Sequence, residues 1–249
     1  MPGGLARIAA ASAAVLIACD SDPPERLRVP SGSPTQATKA GLQPLKLGGA
    51  RDGVFYVPTT FVPHEPLPLV ILLHGAGGNA SNWFGSYADR AEQARVVLLA
   101  PDSRGTTWDA IHGGFGEDVK FINRALEEVA SQVTIDRTRM ALAGFSDGAT
   151  YALSLGLANG DLFTHVVAYS PGFYVRSTPR GAARYFISHG TGDTVLPIDT
   201  ASRSIVSALR LEGYQIEYVE FDGGHEVPAS ISTQAMEWLV ADWAAADAH

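Results

Sequence analysis

Long apolar runs alternate with stretches of helical period along most of the chain. Leu67–Leu73 is a continuous apolar run, the pattern of a strand covered on both faces. Val96–Ala100, Arg139–Ala143, Val166–Tyr169, Ala183–Ser188 and Ile216–Phe221 also read as strands, and Val54–Val57 is an earlier one, ended by Pro58. Helical stretches fall between them, at Ser81–Arg95, Glu117–Ser131, Ala149–Ala158, Ala201–Leu211 and Ala229–Ala245. Glu117 and Asp118 stand in the first turn of theirs, where a negative charge suits the helix dipole. This alternation predicts an α/β fold, a mostly parallel central sheet with helices on both faces. In such sheets ligands sit beyond the carboxyl ends of the strands.

The first 41 residues follow another pattern. Ile8–Ala18 is apolar behind the single basic Arg7. It is shorter than the about 20 residues that span a bilayer, but it fits the apolar core of a signal peptide over residues 1–18. It ends in Leu16-Ile17-Ala18-Cys19, which resembles a bacterial lipobox (16–19). That resemblance implies cleavage before Cys19, lipidation there, and an exported protein anchored on the periplasmic or cell-surface side of a bacterial membrane. The alternative is a plain secretory signal with Cys19 incidental. Residues 19–41 are nearly free of apolar side chains and read as a disordered tether. The catalytic domain is expected over 42–249, with no cysteine and hence no internal disulfide.

A chain of 249 residues with 46% hydrophobic content suits one sizeable core. Net charge is −8 without a Lys/Arg block, which argues against a nucleic-acid partner. Cys-x-x-Cys and His-Glu-x-x-His are absent from the sequence, so no metal site is expected.

The candidate chemistry centres on Gly144-Phe145-Ser146-Asp147-Gly148, between a strand-like and a helix-like run. Gly-x-Ser-x-Gly in that context is a nucleophile elbow: a turn so tight that the serine takes strained dihedrals and lifts its hydroxyl above the sheet. Glycines two residues to either side let strand and helix approach. An acid and a histidine should follow, each in a loop after a later strand. His189-Gly190-Thr191-Gly192-Asp193 offers Asp193, and Asp222-Gly223-Gly224-His225 offers His225. The oxyanion donors should be the amide of Asp147 and one from the loop after Leu67–Leu73, namely Ala76, with Gly77 the alternative.

Other residues admit plainer readings. His74 and His189 read as loop braces, Asp222 as a turn former, and Asp199 as a cap or a solvated helix face. The side chain of Asp147 suits the helix dipole and would also disfavour anionic substrates. Trp83, Trp108, Phe115, Phe173 and Tyr174 lie in or near segments that follow strands; Trp83, Trp108 and Phe173 are the candidate walls of a substrate cleft.

Four stretches carry a wider resemblance: Leu-Leu-His-Gly-Ala-Gly-Gly (72–78), Gly-Phe-Ser-Asp-Gly (144–148), Ser-His-Gly-Thr-Gly-Asp-Thr-Val-Leu-Pro-Ile (188–198) and Gly-Gly-His-Glu-Val-Pro (223–228). From about residue 48 to 239 the chain resembles the phospholipase/carboxylesterase group of α/β-hydrolases. It is more loosely similar to polyhydroxybutyrate-depolymerase and feruloyl-type esterases. The resemblance implies an α/β-hydrolase fold, a Ser146–His225–Asp193 triad, oxyanion amides at Ala76 and Asp147, and no metal or organic cofactor. Cytosolic members commonly carry Gln where this chain has Asp147, and they lack a lipobox, which speaks against an intracellular thioesterase. Only about Gly172–Gly181 is available to build a cap, so a minimal lid and an open cleft are expected. The expected activity is hydrolysis of small or polymeric carboxylic esters with short or accessible acyl groups. The alternatives are a polyester or aromatic-ester hydrolase and a non-catalytic binding module.

Overall fold

The structure, a computed structural model, describes residues 23–246, with the side chains of 84–86 excepted. The signal-like run and Cys19 lie outside the described residues. In chain order the elements are β1 (Gly41–Pro44), β2 (Gly53–Val57), β3 (Leu67–Leu73), α1 (Ser81–Ala94), β4 (Val97–Pro101), α2 (Glu117–Gln132) and β5 (Ile135–Phe145). These are followed by α3 (Asp147–Ala158), β6 (His165–Tyr169), β7 (Arg184–Gly190), α4 (Ser202–Leu211), β8 (Ile216–Phe221) and α5 (Ala229–Ala246). A short 3-10 turn, Asp109–Ile111, interrupts the loop between β4 and α2.

One sheet runs β1-β2-β4-β3-β5-β6-β7-β8. The strands from β4 to β8 are mutually parallel, while β1 and β2 pair antiparallel at one edge. Strand β3 is buried along its whole length, and its alternation sorts side chains to two cores. Leu69, Ile71 and Leu73 join α2, α3 and α4 through Ile122, Leu126, Leu153 and Leu209. Val70 and Leu72 join α1 and α5 through Tyr87, Ala91, Met236 and Trp243. Full burial of such a side chain contributes about 1.5–3 kcal/mol, so the continuous run specifies a strand between two helical layers. No helix forms between β6 and β7, which leaves the carboxyl end of the sheet without a lid there.

The N-terminal side departs from expectation in one respect. The described part of the tether is not disordered: residues 25–36 dock on α2 and α3. Leu27 and Val29 are buried, and Arg26 donates to Ala158 O at 2.6 Å and to both Asp161 oxygens at 2.9 Å. Asn159, itself buried, accepts from the Leu27 amide at 2.9 Å and donates to Glu25 O at 2.9 Å. Two apolar side chains and a set of polar partners 95 to 135 positions away in sequence offset an ordering cost that composition alone makes look prohibitive. Strand β1 begins where the tether was expected to end, with alternating half-buried and exposed positions suited to an edge.

Candidate active site

Ser146 sits between β5 and α3 at φ 56°, ψ −119°, a region that costs a non-glycine residue about 1–3 kcal/mol. The turn is held by the Ser146 amide donating to Tyr169 O at 2.9 Å and by Ser146 O accepting from the Thr150 amide at 3.0 Å. A Cβ at Gly144 would lie 2.1 Å from Gly148 O, and one at Gly148 would lie 2.0 Å from Leu73 O. Strand, helix and the neighbouring strand therefore touch backbone to backbone, which is what the glycine spacing anticipates.

The loops after β7 and β8 bring two further groups to this serine. The Ser146 hydroxyl donates to His225 Nε2 at 2.8 Å, and His225 Nδ1–H donates to Asp193 Oδ2 at 2.7 Å. A carboxylate only accepts, which fixes the proton on Nδ1 and leaves the Nε2 lone pair facing the Ser146 hydroxyl. Asp193 Oδ1 accepts the amides of Val195 and Leu196 at 2.8 and 2.9 Å. Burial alone would raise the Asp193 carboxyl, but the Leu196 amide, His225 and the Val195 amide outweigh it and hold the group below the usual carboxylate range. The two loops can meet because Gly190 has no side chain: a Cβ there would lie 2.3 Å from Gly224 O. The His225 ring rests on Phe145 at 4.8 Å between centroids.

The amides around Ser146 sort themselves by their partners. Gly77 N–H donates to Thr106 O at 2.6 Å and Gly78 N–H to Gly75 O at 3.0 Å. Gly77, the alternative oxyanion donor, is thus already committed to Thr106, which leaves Ala76 as the candidate in that turn. The amide of Asp147 begins α3, where helix geometry provides no internal acceptor. Its side chain accepts from Thr107 Oγ1 at 2.6 Å, a contact that sequence reading did not foresee.

Of the candidate wall residues, Trp83 lines a cleft of about 550 Å³ with the 74–79 loop, Asn82, Phe145 and Val227. Trp108 does not line it. It is fully buried, stacks on Tyr151 at 5.0 Å and donates through Nε1 to His74 O at 2.8 Å. A loop aromatic can turn inward as readily as outward, and here the adjacent core takes it. Phe173 is exposed and lines a separate depression with Thr200, Ser204 and Ala208. Asp222 is exposed, and Asp199 pairs with Arg203 at 2.7 Å.

Three other histidines are buried and structural in their contacts. His74 bridges Gly75 O at 2.7 Å and the Ser103 amide at 3.0 Å. His189 donates to Leu196 O at 2.8 Å and lies 3.1 Å from Asp193 Oδ2, so it braces the acid's loop. His165 lies between Thr164 and Asp242. Burial lowers the pKa of all three. Below an unfolded value of about 6.5 the unfolded chain binds protons that the folded chain refuses, so stability falls as pH drops. Tm should be level with respect to these groups above about pH 7 and decline from there to pH 5. A scanning calorimetry series would check this, with His165→Gln giving a shallower decline; a Tm that holds or rises toward pH 5 would contradict it.

The chain as a whole is similar to known proteins. The Esterase family, described as "Putative esterase", matches residues 46–208. Feruloyl esterase C of Emericella nidulans is 27% identical over 227 residues, covering 75% of this chain and 82% of that protein. The "Probable feruloyl esterase C" of Aspergillus oryzae is 30% identical over 176 residues, but the match spans only 63% of its length and 64% of this chain. Among solved structures, esterase PE8 aligns with TM-score 0.63 at 18% identity, covering 76% of this chain and 97% of that one. An S-formylglutathione hydrolase from Agrobacterium tumefaciens aligns with TM-score 0.58 at 20% identity, covering 76% and 88%. These two likenesses bear on the fold, which is that of the α/β-hydrolases. By its match over well more than half of its length, the chain belongs to the Esterase family.

Proposed function

We propose that this chain is a serine carboxylesterase working through an acyl-enzyme on Ser146. The observation that carries the reading is the unbroken run from Ser146 Oγ through the His225 ring to Asp193, with links of 2.8 and 2.7 Å. Ser146 Oγ attacks the ester carbonyl carbon while its proton passes to His225 Nε2. The carbonyl oxygen becomes an oxyanion held by the amides of Ala76 and Asp147. The tetrahedral intermediate collapses, and His225 returns the proton to the departing alcohol. Water then repeats the sequence against the acyl-enzyme and frees the acid. Asp193 stays ionised, holding Nδ1–H and stabilising the imidazolium. A positioned base is worth about 10²–10⁴-fold in rate and an oxyanion donor about 2.7–4 kcal/mol.

The substrate reading follows from the cleft beside Ser146, which is lined by the preceding residue Phe145 and by Gly75 and Ala76. Trp83, Phe145 and Val227 give the cleft apolar walls, and the absence of a helix between β6 and β7 favours short or accessible acyl groups over long chains. An aromatic acyl group is the second reading, favoured by the two aromatic walls and by relatives whose names are feruloyl esterases. Initial rates on the 4-nitrophenyl esters of acetate, butyrate, octanoate and palmitate, beside methyl ferulate, test both. Turnover should fall steeply beyond butyrate or octanoate. A maximum on palmitate would contradict the open cleft, and methyl ferulate outrunning every alkyl ester would favour the aromatic reading. No turnover on any of them would favour a binding module.

A further inference from the structure

The loop between β4 and α2 joins the two sides of the proposed oxyanion site. On one side, Thr106 O accepts the Gly77 amide at 2.6 Å and Trp108 Nε1 donates to His74 O at 2.8 Å, so this loop holds both ends of the turn carrying Ala76. On the other side, Thr107 Oγ1 donates to Asp147 Oδ2 at 2.6 Å. Two residues on, Asp109 Oδ1 accepts from the hydroxyl of Tyr151 of α3 at 3.0 Å. The segments being joined already press together: a Cβ at Gly75 would lie 3.4 Å from both Phe145 O and Ser146 Cβ.

We infer that Thr107 is a positioning residue for ester hydrolysis: its hydroxyl, by holding the Asp147 carboxylate, sets the spacing between the Ala76 and Asp147 amides and turns that carboxylate away from the developing oxyanion. The inference rests on the Ser146 reading above. It also explains an acid beside the nucleophile. A free carboxylate there would repel the oxyanion, whereas one held by Thr107 serves as the fixed end of a clasp. The fold does not depend on this bond, because Trp108 is buried and stacked on Tyr151 and Asp109 is tied to the same ring. What the hydroxyl adds is alignment.

The test is steady-state kinetics on 4-nitrophenyl butyrate for Thr107→Val, Thr107→Ser and Ser146→Ala, with Tm for each and Ki for phenylboronic acid, which forms a tetrahedral adduct on a serine nucleophile. Acylation and deacylation both pass through an oxyanion, so either rate-limiting step registers the loss. Thr107→Val should lower kcat by about 10- to 100-fold, less than outright loss of a donor, with KM nearly unchanged and Ki raised by a similar factor. Thr107→Ser keeps the hydroxyl and should restore kcat and Ki. Asp147→Ala combined with Thr107→Val should be no worse than the poorer single variant, because both break one bond. An unchanged kcat in Thr107→Val, or a Thr107→Ser as impaired as Thr107→Val, would overturn the inference. Ser146→Ala separates the two possible failures. Full activity there overturns the nucleophile reading and this inference with it; an inactive Ser146→Ala beside an unaffected Thr107→Val overturns this inference alone.

Discussion

Ser146→Ala is expected to lower kcat/KM for 4-nitrophenyl butyrate on the order of 10⁴-fold or more, leaving only what binding and the oxyanion amides supply. The hydroxyl makes a single contact of consequence, its bond to His225, so Tm should stay close to that of the unaltered protein. His225→Ala should be similarly severe, and the double variant little worse than either, because the two side chains act as one unit. Stopped-flow or plate-based hydrolysis beside a melting curve checks the set. Ser146→Ala retaining a tenth or more of the activity would remove the serine from the mechanism.

Gly148→Ala is expected to damage fold and activity together. Its new methyl would stand 2.0 Å from Leu73 O, 2.5 Å from Leu73 C and 2.6 Å from His74 O. All three are backbone atoms, at the point where β3 turns into the loop carrying Ala76. None can swing aside as a side-chain tip would, so β3 or α3 must shift. Overpacking of this kind costs about 3 kcal/mol or somewhat more, which for a domain of this size is a Tm loss of roughly 6–12 °C. The displaced loop would also carry the Ala76 amide away from Ser146, so kcat should fall beyond what unfolding explains. Gly224→Ala is the matched control for stability: nothing lies within 4 Å of a Cβ there, and Tm should hold. A Gly148→Ala protein with unaltered Tm and rate would contradict the backbone contact on which the elbow depends.

The central sheet was legible because burial on both faces leaves no polar position in a strand such as β3, so its whole span reads as one run. Ser146, Asp193 and His225 were legible for a related reason. Each follows a strand of the parallel sheet, and parallel strands deliver their following loops to one edge. The rest depended on facts that sequence does not carry. Leu27 and Val29 look too sparse to order a segment until Asn159 and Asn123 present amides to it. Trp108 and Trp83 are alike as candidate cleft walls on paper, but Trp108 is fully buried against Tyr151, whereas Trp83, in the first turn of α1 and itself buried, still borders the cleft. Gly77 and Ala76 are both candidate donors on paper, but the Gly77 N–H is directed toward Thr106 O. The Thr107–Asp147 bond links positions forty apart, with no motif to announce it.

The most direct test of the account is intact-mass and peptide-mass measurement after reaction with a fluorophosphonate, followed alongside residual esterase activity. The account expects one adduct per chain, located on the peptide containing Ser146, with activity lost in proportion to labelling and no adduct on Ser146→Ala. An adduct on another residue that tracks the loss of activity, or full activity with Ser146 completely labelled, would contradict it.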